Sequence, residues 1–407
     1  MNWSENEKNN SNLCLPDLSL PRQNRSYFLN PIYMKKVGIL GGGQLGRMLL
    51  QAATCYPVEV FVMESDIDCP SAPYCKNFTQ GNIRNYDDVI AFGKDLDAIT
   101  IEIEDVNLEA LLALEQQGVQ VFPKPSALKI IQNKIHQKEY YSNHEIPTSP
   151  YLITPNKQAL TSNQHFLPAV HKLAVGGYDG RGVQVINNPE ELPLGFDAPA
   201  VLEKKVDIKQ EIAMLIAVAV SGEIKIYPIV EMIFDQDLNL LSHQLCPAGL
   251  EEKLLWKAEA IAIQAVKNLK SPGLFAVEMF VDKDDQIWVN EMAPRVHNSG
   301  HHTIEGNYSS QFDMLWRIIL NYPLGNSEIR MPSALVNVLG APNYSGKAHY
   351  EGLGTILQMD KVFVHLYGKQ ETRPGRKMGH VTILGKDITD LNHQVNIVKR
   401  NLRVISR

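Results

Sequence analysis

Long apolar runs are missing from this chain. No stretch approaches the ~18 consecutive apolar residues of a membrane-crossing helix, so a membrane partner is not expected. Cysteine is scarce, with five in 407 residues. Cys14, Cys55, Cys69, Cys75 and Cys246 show neither metal-ligand spacing nor a disulfide framework. That usage fits a reducing compartment, and a cytoplasmic protein is expected. A basic excess is lacking too. The net charge of −6 argues against a broad nucleic-acid surface. An anionic substrate must therefore be met by a local cluster of cations. No G-K-[ST] follows a glycine-rich stretch, which excludes a Walker A loop. Residues 1–33, rich in Asn, Ser, Glu and Lys and then broken by Pro, lack the layout of a signal peptide. They read as a disordered extension.

What is present begins at Lys35. The strand-like Lys35–Leu40 runs into Gly41-Gly-Gly-Gln-Leu-Gly46. Leu45, Met48, Leu49, Ala52 and Ala53 then mark an amphipathic helix. Val58–Met63, Ala98–Ile103 and Val119–Phe122 read as further strands. Strand–helix alternation of this kind means a parallel sheet covered by helices. The first turn matches G-x-G-x-x-G, and Glu64 lies where a ribose-binding acid would stand. A nicotinamide dehydrogenase is therefore one reading. The same turn is also able to hold another phosphate on the helix N-terminus. Glu102 and Glu104 end the third strand at its carboxyl edge, where open α/β sheets bind ligands. A helix is expected from Ser126 to about Asn143, with Lys134 and Lys138 one turn apart. They read equally as a solvated basic face or as phosphate contacts.

The chemistry concentrates further on. Gly176-Gly-Tyr-Asp-Gly-Arg-Gly182 follows Lys172. Its glycine backbone lets several N–H groups converge on phosphate, with Arg181 adding charge. Val201–Val206 reads as a strand-like linker, and Glu211–Tyr227 as a hairpin. Phe275–Val281 and Gln286–Met292 form another hairpin around Asp282–Asp285. A turn centred between Asp284 and Asp285 puts Glu278 opposite Glu291 on one face. Two opposed carboxylates are unfavourable unless a cation sits between them, and magnesium fits carboxylates plus phosphate oxygens. Asn290-Glu-Met-Ala-Pro-Arg-Val-His-Asn-Ser-Gly-His-His302 is the densest window of reactive groups in the chain. Arg295 suits a planar anion. His297 is placed to manage a proton, or alternatively to orient Arg295 or Glu291. Ser333–Gly340 and Val362–Tyr367 read as strands. Lys369 and Arg373-Pro-Gly-Arg-Lys-Met-Gly-His380 supply a local cationic site on an acidic chain. A closing amphipathic helix is expected after about Asp387.

Taken together, the glycine turn, Lys172, the glycine loop, Glu203-Lys-Lys-Val206, Glu211, Glu278 and Asn290-Glu291 resemble the ATP-grasp ligases. GGGQLGRML, GGYDGRG, NEMAPRVHNSGH and RPGRKMGH resemble, within them, the 5-(carboxyamino)imidazole ribonucleotide synthetases over residues 34 to 385. The resemblance implies a mixed α/β and α+β, ATP-grasp fold. A Rossmann-like domain would span 34–130, an ATP-grasp domain 131–330 with its lid at about 146–206, and a small C-terminal domain 331–407. It implies carboxylation of 5-aminoimidazole ribonucleotide with bicarbonate in purine synthesis, and ATP and Mg2+ as cofactors. It also implies a homodimer.

By the same resemblance Lys134 and Lys172 contact ATP phosphates, and Gly177, Tyr178, Asp179, Gly180, Arg181, Gly182 and Val183 cover them. Glu203, Lys204, Lys205 and Val206 frame the adenine, Glu211 meets the ribose, and Asn290 and Glu291 complete the ATP site. Glu278 and Glu291 hold the metal. Gln44, Leu45, Glu102, Asn298, Ser299, Lys369, Arg376 and Lys377 define the nucleotide substrate site. Arg295, His297 and Lys377 are the candidate catalytic groups. One departure stands out: relatives commonly carry His where this chain has Phe234. A formate-dependent glycinamide ribonucleotide transformylase and a non-catalytic nucleotide-binding module remain alternatives.

Overall fold

The structure, a computed structural model, describes residues 34–177, 182–235 and 240–407. The extension expected at 1–33 lies outside these residues.

Five strands open the fold: β1 (Lys35–Leu40), β2 (Val58–Glu64), β3 (Asn77–Gln80), β4 (Ala98–Ile101) and β5 (Gln120–Phe122). They pair in parallel in the order β3-β2-β1-β4-β5. Strands buried on both faces read as continuous apolar runs, as β4 does. The edge strand β3, Asn-Phe-Thr-Gln, has no such run and is not legible in sequence. The chain order reverses between β1 and β4, so the carboxyl ends of these two strands form the crevice of the sheet. The helix Gln44–Ala53 follows β1 and buries Leu45, Met48, Leu49 and Ala53. Its partner is the distant helix Gln311–Ile319, whose Trp316 indole N–H donates to the Leu49 carbonyl at 2.9 Å.

The single helix expected over Ser126–Asn143 is two helices, Pro125–Ile131 and Lys134–Asn143. Asn133 causes the break: its side chain accepts from the Ile135 and His136 N–H groups, a cap that starts a new helix. The restart turns Lys134 and Lys138 inward, with side chains 19% and 2% exposed, so neither belongs to a solvated face.

A four-stranded antiparallel sheet follows: β6 (Tyr151–Thr154), β7 (Ala169–Leu173), β8 (Val183–Ile186) and β9 (Ala200–Lys204), in the order β6-β9-β7-β8. The segment read as a linker is thus an interior strand, β9. Leu160, Ala169, Ile186, Leu192 and Leu202 give this sheet its own small core.

The largest sheet is built from β10 (Ile208–Val218), β11 (Ile224–Ile226), β12 (Val230–Asp235), β13 (Leu240–Cys246), β14 (Gly273–Asp282) and β15 (Ile287–Ala293). Three later strands continue it. Of β16 (Ser333–Leu339), β17 (Gly346–Glu351), β18 (Val362–Leu366), β19 (Glu371–Thr372), β20 (Lys377–Leu384) and β21 (Arg403–Ser406), strands β16, β20 and β18 join its edge. The path runs β15-β14-β10-β12-β13-β16-β20-β18, with β11 on β10; β19-β17-β21 form a separate small sheet. Sequence reading took Arg373–His380 as one basic, glycine-broken motif. Its second half instead enters β20, because Met378, Val381 and Ile383 are buried in the core there. The helix Ile388–Asn401 closes the fold as expected, burying Leu391, Val395 and Val398. No helix among the described residues is long and apolar enough to cross a membrane.

Candidate active site

The β14–β15 hairpin sets two carboxylates face to face. Glu278 pairs with Glu291 in the observed register. Near the turn, however, Val281 pairs with Ile287 and Met279 with Val289. The turn is therefore centred on Asp284 rather than between Asp284 and Asp285, and a bulge at Asn290 restores the Glu278–Glu291 match. A bulge inserts one unpaired residue and re-aims its neighbours. Here it sends the Asn290 side-chain amide oxygen to Lys172 Nζ, which donates to it at 2.7 Å, while Glu291 pairs with Lys134 Nζ. Burial, then the charges of Glu291 and Glu211, push the Glu278 carboxyl well up from its usual range. The Lys134 ammonium holds Glu291 down. A divalent cation between the two carboxylates would relieve the cost at Glu278, and this is where the residues fit one. Two protein carboxylates leave the other coordination positions to substrate oxygens.

Above the pair lie the lysines. Lys172 on β7 stands 3.1 Å from Glu203 on β9, and Lys138 stands 3.0 Å from the other Glu203 oxygen. Lys138 and Glu203 are both buried and were not linked by sequence reading. Glu211 on β10 is half-buried, and its carboxyl is pushed up to about 7 by burial, against the charge of Lys172.

The loop after β15 is held by one amide. The Gln311 side-chain oxygen accepts from the His297 N–H at 2.8 Å, and its amide donates to the His297 carbonyl at 2.8 Å and to His301 Nδ1 at 2.9 Å. Sequence gave no sign of this clamp, because Gln311 looks like an ordinary first-turn helix residue. With the loop so fixed, His297 Nε2 lies 3.4 Å from Glu278 and its Nδ1 lies 2.9 Å from the Ser299 hydroxyl. The imidazole therefore stands against Glu278, and its charge also acts on Glu291. Arg295 Nε lies 3.0 Å from Glu104 at the end of β4. The Asn298 amide nitrogen is buried without a protein acceptor, a donor aimed at nothing the described residues supply.

The glycine turn after β1 is already occupied. Glu102 accepts from the Gly46 N–H, and Glu64 accepts from Gly42 N–H at 3.1 Å and from Ser65 N–H at 2.7 Å. A Cβ on Gly43 would sit 2.1 Å from a Glu102 oxygen, so the glycine pattern serves the close approach of a carboxylate. A helix N-terminus filled by the chain's own anions does not take a diphosphate. That observation speaks against the dinucleotide reading of this turn. Burial raises the Glu102 carboxyl to about 7. Gln44 opens the helix beside it, while the Leu45 side chain is in the core, leaving only its backbone for a ligand.

Cations gather opposite. Lys377 on β20 is close enough for its charge to act on Glu278, and Lys369 Nζ donates to the Lys377 carbonyl at 2.8 Å. Arg376 donates to the Glu371 carbonyl at 2.7 Å. Arg47 joins them, its guanidinium 4.6 Å over the Tyr74 ring and in the space a Gly368 side chain would take. Its place inside the GGGQLGRML motif was the available signal for Arg47.

The remaining candidates are more dispersed. Gly177, Gly182 and Val183 flank residues 178–181, so Tyr178, Asp179, Gly180 and Arg181 lie outside the described residues. The Lys204 ammonium turns to the Phe166 and Leu167 carbonyls and that of Lys205 to the Asn187 side chain. Phe234 packs with Val230 and Met232 of its own strand β12 and with Cys246 of β13. An imidazole stands on the neighbouring strand, where His243 pairs with Ile233.

Residues 34–132 match the ribonucleotide synthetase preATP-grasp domain, 139–312 the ATP-grasp domain and 333–394 the phosphoribosylaminoimidazole carboxylase C-terminal domain. The N5-carboxyaminoimidazole ribonucleotide synthase of Synechococcus elongatus is 32% identical over 86% of this chain and 89% of its own. The chain belongs to the N5-carboxyaminoimidazole ribonucleotide synthase family. The fold is that family's, with its ATP-grasp domain set between a preATP-grasp parallel sheet and a C-terminal domain. The synthetase of Thermotoga maritima superposes with a TM-score of 0.83 at 35% identity, over 92% of this chain and 100% of that one. The Aspergillus clavatus synthase in complex with ADP and 5-aminoimidazole ribonucleotide gives 0.81 at 31% identity, over 91% and 100%. The chain spans about two thirds of the length of the plant and yeast phosphoribosylaminoimidazole carboxylases it also matches.

Proposed function

We propose that the chain uses ATP and bicarbonate to carboxylate 5-aminoimidazole ribonucleotide, giving N5-carboxyaminoimidazole ribonucleotide, ADP and phosphate in purine synthesis. The observation that carries this is the meeting at Glu278 of three parts. The lysine-held partner Glu291, the His297 loop and Lys377 of the C-terminal strand β20 all act on that one carboxyl. An ATP site and a cationic nucleotide site thus share a wall.

In the reaction a bicarbonate oxygen attacks the γ-phosphorus, the bond to the bridging oxygen breaks, and ADP leaves. The amine nitrogen of the ribonucleotide then attacks the carboxyl carbon of carboxyphosphate. The carbon–oxygen bond to phosphate breaks, phosphate departs, and the nitrogen loses a proton. Phosphoryl transfer needs positioning and charge neutralisation more than covalent help. Lys134 and Lys172 supply positive charge at the phosphates, Glu203–Val206 line the adenine, and Glu211 faces the ribose. Glu278 and Glu291 would hold Mg2+, which neutralises phosphate charge. Arg295, steadied by Glu104, is suited to bicarbonate in two-point fashion. His297 is the candidate to receive the amine proton. Asn298, Ser299, Gln44, Glu102, Lys369, Arg376 and Lys377 take the ribonucleotide. From the family we also take a cytoplasmic homodimer, which sedimentation would check.

The test is ADP release with 5-aminoimidazole ribonucleotide, with and without bicarbonate in degassed buffer. Full rate only with both supports the reading. ADP release with formate and glycinamide ribonucleotide instead would overturn the substrate assignment while leaving the fold.

A further inference from the structure

The reaction above places two lysines at the ATP phosphates, and a third, buried lysine stands beside them. Lys138 has no part in it, although its side chain is 2% exposed. A buried ammonium is costly unless paired and hydrogen-bonded. Lys138 has both: its Nζ donates to the Thr148 hydroxyl at 2.6 Å and lies 3.0 Å from Glu203 Oε2. The Ser149 hydroxyl donates to the same Glu203 oxygen at 2.9 Å. The other oxygen, Oε1, lies 3.1 Å from Lys172.

These groups come from different parts of the fold. Lys138 is on the helix Lys134–Asn143, Lys172 on β7 and Glu203 on β9. Lys172 pairs with Val201 and Val170 with Glu203, so Lys172 and Glu203 are diagonal neighbours on one face of the small sheet. A carboxylate so placed, if alone, would cancel the charge of Lys172 and draw it away from a triphosphate. With Lys138 on its far oxygen, the set of three carries one net positive charge, and Lys172 reaches Asn290 beside the Glu278–Glu291 pair.

We propose that Lys138 is a positioning residue for ATP: it takes up the charge of Glu203, so that Lys172 presents its own charge to the phosphates. This rests on the ATP reading above. The ionisation of the group agrees with it. Burial pushes the Glu203 carboxyl up, but Lys172 and then Lys138 bring it down to about 2.

The test is a cycle of full-length variants, K138M, E203Q and the double K138M/E203Q, read by ADP titration and by KM. Lys138→Met should weaken ADP binding and raise the KM for ATP by about tenfold or more, the scale of one lost charged hydrogen bond. The KM for the ribonucleotide should stay within about twofold, since that site is not coupled. Once Glu203→Gln is in place, adding K138M should cost no further ADP affinity, because no carboxylate then competes for Lys172. A K138M protein with unchanged ADP affinity overturns the proposal. So does a double variant clearly weaker than E203Q, which would make Lys138 a direct phosphate ligand or a packing residue. If K138M does not fold, E203Q and the double variant still decide. Equal ADP affinity supports action through Glu203 alone, and about a tenfold gap overturns it. Wild-type protein that binds no ADP would instead overturn the ATP reading itself.

Discussion

Single residues carry the division of labour between the two substrates. Arg376 is tied to the Glu371 carbonyl at 2.7 Å, which holds its guanidinium in one place. On the proposed reading it serves the ribonucleotide, while Lys134 and Lys172 serve ATP. Replacing it with alanine should raise the KM for 5-aminoimidazole ribonucleotide about tenfold or more, the worth of a charged hydrogen bond. The KM for ATP should hold within about twofold. Steady-state kinetics with each substrate varied in turn would show this, and an unchanged ribonucleotide KM would remove Arg376 from the site. Glu102 teaches a related point. The glycine spacing at 41–46 reads in sequence as a phosphate turn, and only the packed structure shows that the carboxylate just after β4 fills it.

At the scale of elements, the hairpin β14–β15 is the informative case. Its strands, its acidic turn and the opposition of Glu278 and Glu291 were all legible, because alternating apolar residues fix which face is buried. The bulge was not, because nothing local marks Asn290 as the extra residue. Its consequence is testable. Deleting Asn290 leaves Glu291 matched to Glu278 in the register already set near the turn, so the hairpin should survive. Lys172 loses its 2.7 Å partner, and ADP affinity should fall about tenfold, as for a charged hydrogen bond. Titration of the deletion variant with ADP would check it, and unchanged affinity would show that Asn290 does not position Lys172. The misreadings share a cause. Val201–Val206, the break at Asn133 and the strand β20 depend on partners far along the chain, and local pattern does not report those.

On the scale of the whole molecule, burial of imidazoles links stability to acidity. His301, His302 and His380 are buried where the C-terminal strands meet the ATP-grasp core, with His380 stacked 4.5 Å from His365 and 4.9 Å from His301. Burial keeps all three neutral and lowers His302 to about 4. The unfolded chain takes up protons below about pH 6.5 and the folded chain does not, so each contributes stability that is lost as pH falls through that range. Glu102 and Glu211, raised to about 7, act in the opposite sense and soften the total. A differential measurement isolates the histidine part. His302→Gln should flatten the pH slope of the unfolding free energy between about pH 4.5 and 6.5 by roughly 1.4 kcal/mol per pH unit. Denaturant unfolding at several pH values reads that slope, and an unaltered slope would mean His302 is not held neutral.

The continuity of the large sheet also bears on how the protein is made. Strand β13 pairs with β16, residue His243 against Val336, although the intervening chain runs through β14, β15 and three α-helices. During translation β13 therefore emerges long before the strand that covers it. Until β16 leaves the ribosome, and β20 after it, the nascent chain displays a row of unpaired N–H and C=O groups that any other extended chain is able to join. The strand that brings Lys377 to the site also helps to end that exposure.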